Sequence, residues 1–205
     1  MSQRTVGILL FNEVEVLDFA GPFEVFSLTT KTDLETKAFN VITISEDGEM
    51  IKARNGLKVI PDYNFHHHPA LDVLVVPGGY GAEEIEINNS NLIEWINQQY
   101  SQVECIASVC TGALLLAKAG LLNGRKATTH WMDQDRLAKE FPLVAVQRNV
   151  KFIDEGKVIT SGGISAGIDM SFYLISRIYG RNVIYGRNVA AETAKRMEYD
   201  SFFQG

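Results

Sequence analysis

The segment Ser108-Val109-Cys110-Thr111-Gly112-Ala113-Leu114-Leu115-Leu116 sets a cysteine between an apolar strand and a helix-forming stretch. This is the layout of a nucleophile elbow, in which a strained turn exposes one side chain above a sheet. Gly112 makes the tight turn sterically possible. The helix that starts there points free N–H groups and its positive dipole end at the sulfur, which predicts a lowered thiol pKa. A thiolate at neutral pH is the nucleophile that covalent catalysis needs. The competing reading is a buried, inert cysteine, among the commonest of core residues. That reading fits Cys105, inside the apolar strand.

Pro77-Gly78-Gly79-Tyr80-Gly81 directly follows a buried strand. Adjacent glycines let backbone N–H groups approach a ligand and form an anion-binding nest, although a simple turn is the commoner explanation. It is no phosphate loop, because no Lys-Ser or Lys-Thr follows. Asp18 lies between apolar residues just ahead of a helix, which suits an N-terminal cap. It equally suits a carboxyl in an apolar pocket with a raised pKa, able to exchange protons. His130, in Thr128-Thr129-His130-Trp131, ends a short strand as a base or as a satisfied polar residue. His66-His67-His68 point in different directions in any extended chain and make no specific metal site. No GxSxG occurs, and Ser165 lies among glycines better explained by close packing beneath the elbow.

These residues need a scaffold, and the hydrophobic pattern supplies one. Strand-length apolar runs alternate with helical segments, which predicts an α/β fold with a mostly parallel sheet covered by helices on both faces. Strands are expected at Val6–Phe11, Phe39–Ile44, Leu71–Val76, Cys105–Val109 and Lys126–Thr129. Hairpins are expected around Leu57–Val59 and from Val150–Asp154 to Lys157–Ser161, the latter turning at Glu155-Gly156. Helices are expected over Asp18–Thr29 starting at Gly21-Pro22, and over Asn91–Tyr100, Gly112–Ala119, Asp133–Glu140 and Ala166–Tyr179.

The 205 residues, with no linker or low-complexity stretch, imply one domain, 1–205. A formal net charge of −6 with no basic run argues against nucleic-acid binding. No apolar stretch is long enough for a membrane span, and Met1–Val6 lacks a secretory signal. Two cysteines fit neither a disulfide framework nor a zinc set. A cytoplasmic, reduced protein is the plain reading. One oddity is the tandem Ile178–Val183 and Ile184–Val189, both IYGRNV. In a helix the extra copy would turn the later face by roughly 240°, so a break is expected at Gly180 or Gly186.

LDFAGPFEVF, VPGGYG, SVCTGALLLAKAGLLNGRKATTHW and TSGGISAGIDM, in this order, resemble the ThiJ/PfpI superfamily with its class I glutamine-amidotransferase-like fold. Within it they are most similar to the isonitrile hydratases, over nearly the whole chain from Val6 to about Tyr199. The resemblance implies a flavodoxin-like, doubly wound sheet, a homodimer and a small-molecule substrate, an organic isonitrile hydrated to an N-substituted formamide. It places Cys110 at the nucleophile, Asp18 at the proton-handling acid and Thr111 at the polar residue after the cysteine. Gly79 and Tyr80 fall on a backbone-amide turn facing the substrate, with His130 nearby. No metal or organic cofactor is implied. Protease-like members carry His where this chain has Thr111, which disfavours peptidase chemistry; redox-chaperone and glyoxalase-like members carry Glu where it has Asp18. The same segments occur in the sensor domains of AraC-type regulators, whose helix-turn-helix pair has no room before Gly205. A non-catalytic sensing module is therefore the alternative, ahead of a glyoxalase or amidase using His130 as base.

Overall fold

The computed structural model describes residues 3–31, 33, 35–180 and 184–199. The strands are β1 (Arg4–Leu9), β2 (Phe39–Ser45), β3 (Ile51–Lys52), β4 (Lys58–Val59), β5 (Tyr63–Asn64) and β6 (Val73–Val76). They continue with β7 (Cys105–Ser108), β8 (Lys126–Ala127), β9 (Ala145–Val146), β10 (Phe152–Asp154) and β11 (Val158–Ser161). The helices are α1 (Val16–Leu28), α2 (Ser90–Gln102), α3 (Gly112–Lys118), α4 (Gln134–Glu140), α5 (Ser165–Ile178) and α6 (Ile184–Arg196).

Seven strands form the main sheet in the order β10-β11-β7-β6-β1-β2-β5. Every neighbouring pair is parallel except β10 and β11, the hairpin that turns at Glu155-Gly156. Parallel strands covered on both faces read as unbroken apolar runs. The central strands do so: β6 is Val-Leu-Val-Val, buried throughout, and β7 is buried along its length. This is the flavodoxin-like α/β arrangement, with α1, α5 and α6 packed together in one helical layer and α2 against α3 in another. Phe26 and Phe172 are the largest fully buried side chains, with Ile8, Leu74 and Ile106 on the sheet and Leu114 and Leu115 on α3. Each such burial contributes roughly 1.5–3 kcal/mol. Among the described residues no helix is long and apolar enough to cross a membrane.

The sheet order reverses at β1, which runs between β6 and β2. In open α/β sheets the crevice at such a point, beyond the carboxyl ends of the strands, is where ligands bind. The chain after β1, β6, β7 and β11 carries, respectively, Asp18, Gly78-Gly79, Cys110 and Gly163-Ile164.

Two expectations are corrected. Helix α1 starts at Val16 rather than at Gly21-Pro22, so Pro22 lies inside it. The missing proline N–H leaves the Asp18 carbonyl without its helical donor. Entry to the helix is instead fixed from outside, where the Glu15 N–H donates to the Gly78 carbonyl at 2.9 Å. Asp18 is therefore not a cap but a first-turn residue facing inward. Second, the predicted strand at Lys126–Thr129 ends at Ala127 and pairs with β9 in a separate small sheet. At the tandem repeat, α5 stops at Ile178 and Gly180 takes φ +107°, open to glycine alone at little cost. Residues 181–183 lie outside the described residues, and the second copy opens α6 at Ile184, with Gly186 inside that helix.

Candidate active site

Cys110 follows β7 and precedes α3 with φ +56°, a left-handed conformation that a non-glycine residue adopts at a cost of about 1–2 kcal/mol. Its neighbours hold it there. The Cys110 N–H donates to the Gly162 carbonyl at 3.1 Å, and its own carbonyl accepts from Thr129 Oγ1 at 2.8 Å. Gly112 lets the turn close, since a Cβ there would lie 2.2 Å from the Val76 carbonyl oxygen.

Asp18 reaches this turn from α1 and is fully buried. Its Oδ2 accepts from the Gly78 N–H at 3.1 Å and its Oδ1 from the Ile164 N–H at 3.2 Å. The Cys110 thiol lies close enough to the same carboxylate for the two to shift each other's proton affinity. Burial pushes the Asp18 pKa from its ordinary 3.8 to about 7, with Glu15 adding repulsion; the amides and the thiol only partly offset this. Ile164 is a β-branched residue at φ +52°, ψ −96°, so the amide that holds Asp18 sits on strained backbone.

The predicted lowering of the Cys110 pKa is overturned. Burial comes first, leaving the residue 7 % exposed, and the Asp18 charge second; together they push the thiol well above the ordinary range. The helix terminus supplies less than the sequence suggests. The N–H groups of Gly112, Ala113 and Leu114 are spent on the carbonyls of Val109, Cys110 and Thr111. Only the Thr111 amide acts on the sulfur. The resting pair is thus a thiol beside a carboxyl that titrates near neutrality. Cys105, by contrast, lies in β7 with its thiol pushed up to about 12 by burial.

The expected anion nest is not vacant. The Gly78 N–H is engaged by Asp18, and the Gly79 N–H donates to Thr111 Oγ1 at 2.9 Å. Thr111 is fully buried and ties the Cys110 turn to the Gly78-Gly79 turn. Gly79 lines a cavity of about 300 Å3 together with Cys110 and His130. Tyr80 does not line it and is half exposed, at the start of a π-helical turn, Gly81–Ile85. Gly163 lies between thiol and imidazole, where a Cβ would meet His130 Cδ2 at 2.4 Å and Cys110 Sγ at 3.4 Å. His130 Nδ1 lies 3.7 Å from Asp133 Oδ2.

The same wall holds residues that the sequence reading did not single out: Glu15, Arg54, Glu83, Met132, Asp133 and Ile164. Asp133, three residues after His130, was open to detection by spacing. Arg54 and Glu83 come from separate loops and carry no such signal. His66, His67 and His68 are elsewhere, with His68 packed edge-on to Trp95; among the described residues no cluster could hold a metal ion.

A family model described as the DJ-1/PfpI family matches residues 4–177. The chain is 34 % identical over 196 residues to an isonitrile hydratase of Pseudomonas putida, covering 96 % of this chain and 81 % of that protein. It is 29 % identical over 180 residues to the HTH-type transcriptional regulator GbdR of Pseudomonas aeruginosa, covering 88 % of this chain and 48 % of the regulator. The chain thus spans about half the length of that relative. The crystal structure of a ThiJ/PfpI family protein from Pseudomonas syringae superposes with a TM-score of 0.83 at 25 % identity, over 98 % of this chain and 76 % of that one.

Proposed function

The chain belongs to the DJ-1/PfpI family, and from that premise we propose that it hydrates an organic isonitrile, R–N≡C, to the N-substituted formamide. The observation that carries this reading is the fully buried Asp18 carboxyl, held by the Gly78 and Ile164 amides beside the Cys110 thiol, with a pKa of about 7. Isonitrile hydration needs a nucleophile and a proton delivered to the same carbon, followed by water. A thiol paired with a near-neutral carboxyl supplies both from one site. The likeness to the Pseudomonas putida isonitrile hydratase supports the same choice.

In this mechanism Asp18, ionised, takes the thiol proton as Cys110 Sγ bonds to the terminal carbon. Asp18 then returns that proton to the carbon, giving a thioimidate, R–N=CH–S–Cys110. The carboxylate next takes a proton from water as the hydroxide adds to that carbon, and passes it to the nitrogen. Loss of the hydroxyl proton forms the formamide C=O, breaks the C–S bond, and returns the proton through Asp18 to the sulfur. Atoms balance at R–N≡C plus H2O, and no redox change occurs. Thr111 acts by position, holding the two turns that carry the amides on Asp18 and the thiol. His130 and Gly79 border the substrate.

The reading carries a cytoplasmic homodimer with it. Exposed Leu17, Trp131 and Met132, flanking Asp18 and His130 in the chain, supply apolar surface beside the site for a second copy. A second reading, a non-catalytic small-molecule sensing module, is favoured by the regulator relative and by a thiol held protonated at rest. Formamide production from a panel of alkyl and aryl isonitriles, with wild type beside Cys110→Ala and Asp18→Asn, separates the two. Turnover by wild type alone is expected; none by any of the three moves the choice to the sensor.

A further inference from the structure

Glu15, Glu83 and Asp133 set three carboxylates on the wall of the Cys110 cavity, against two bases, Arg54 and His130. Each base faces an acid. Arg54 Nη1 lies 3.7 Å from Glu15 Oε2, and His130 Nδ1 lies 3.7 Å from Asp133 Oδ2. Glu83 is left over. It is half-buried in the π-helical turn, a departure from α-helix that recurs at functional sites. Arg136 runs past it: Nη2 donates to the Glu83 backbone carbonyl, while Nη1 and Nε go to Glu84 and Glu140. Among the described residues no hydrogen bond or ion pair engages the Glu83 carboxylate. Its charge nonetheless reaches the thiol and helps to hold it protonated.

We infer that Glu83 selects substrates whose R group ends in a cation, such as a primary or alkylated ammonium. This rests on the hydratase reading for the reacting carbon, while the charge preference follows from the wall alone. A cation entering a partly desolvated cavity meets the Glu83 carboxylate, which no guanidinium or ammonium among the described residues pairs; an anion meets the same charge as repulsion. With about 300 Å3 available, at the small end of ligand cavities, the molecule is compact. It bridges the sulfur and the Glu83 wall.

The test reads charge selectivity without assuming turnover. Methanethiosulfonates bearing an ethylammonium or an ethylsulfonate differ in charge but share one reaction with Cys110. The sulfur forms a mixed disulfide, the reagent S–S bond breaks, methanesulfinate leaves and the thiol proton goes to solvent. The ratio of cationic to anionic rate constants at Cys110, separated from Cys105 by peptide mass mapping, is expected to fall about tenfold in Glu83→Gln, equivalent to about 1.4 kcal/mol. It should stay at the wild-type value in Glu84→Gln, one residue on. An equal ratio in wild type and Glu83→Gln, or an equal fall in both variants, overturns the inference. With isonitriles, an ammonium-bearing substrate should exceed its neutral isostere about tenfold in kcat/KM, and Glu83→Gln should abolish that preference. No turnover of either isonitrile, with the labelling ratio still dependent on Glu83, would sink the hydratase reading and leave the charge selectivity standing.

Discussion

The Cys110 thiol meets the Asp18 carboxylate across the crevice, and the carboxylate raises the thiol's proton affinity on top of what burial does, while the thiol lowers that of Asp18 only slightly against burial. The pair therefore holds one proton on sulfur and takes up a second near pH 7. Asp18→Asn separates two roles that this contact combines. Removing the carboxylate charge should lower the thiol pKa, seen as thiolate absorbance near 240 nm appearing at lower pH than in wild type. Formamide production should nonetheless fall by a hundredfold or more, the usual weight of a general acid–base. A variant with more thiolate and undiminished turnover would remove Asp18 from the proton path.

Stability carries the same signature. The folded Asp18 pKa, about 7, lies above the ordinary 3.8. The native state therefore binds more protons between the two values, and this group's contribution to stability falls as pH rises through that window. The difference amounts to at most about 4 kcal/mol at 1.36 kcal/mol per unit. Urea unfolding of wild type and Asp18→Asn should show wild type losing ground to the variant from pH 4 through pH 7, the loss levelling off only by about pH 8. A difference between them that does not depend on pH would mean that Asp18 titrates normally.

The rate should follow the pair. Asp18 must be ionised to take the thiol proton, so kcat/KM with a neutral isonitrile should rise with a midpoint near pH 7. The rising limb should disappear in the residual activity of Asp18→Asn. A limb that persists there belongs to another group.

What the sequence disclosed depended on whether the signal was local. The Ser108–Leu116 turn, the Gly78-Gly79 pair and the apolar strands β6 and β7 are contiguous, and periodicity reads them directly. Asp18 stood out because an acid between apolar residues is anomalous, yet its partners, Gly78, Ile164 and Cys110, come from three other segments. The sign of the thiol shift was missed because helix polarity is visible in sequence, whereas desolvation and a carboxylate brought by α1 are not. Pro22 misled the helix boundary, because proline at a first turn is common and an anchor outside the helix, Gly78 on Glu15, leaves no trace. Glu83 and Arg54 are surface-type residues in short turns that no periodicity marks, and only the fold brings them to one wall.

Two glycines beside the elbow answer differently to the same methyl group. At Gly112 a Cβ would press on the Val76 carbonyl oxygen at 2.2 Å and the Pro77 carbonyl oxygen at 2.8 Å, both backbone atoms with nowhere to go. Gly112→Ala should therefore cost more than about 3 kcal/mol, the upper end for overpacking, and lower the melting temperature along with all activity. At Gly163 the first obstacle is His130 Cδ2 at 2.4 Å, on a partly exposed side chain that can swing, while Cys110 Sγ at 3.4 Å leaves room for contact. Gly163→Ala should unfold within about 1 kcal/mol of wild type, as an alanine in an unstrained setting does. Its turnover should drop because the displaced imidazole closes the cavity over the sulfur. Melting curves and formamide assays on both variants decide the matter. Equal loss of stability in the two would mean that the His130 ring is fixed, and full activity in Gly163→Ala would mean that the ring does not border the reacting carbon.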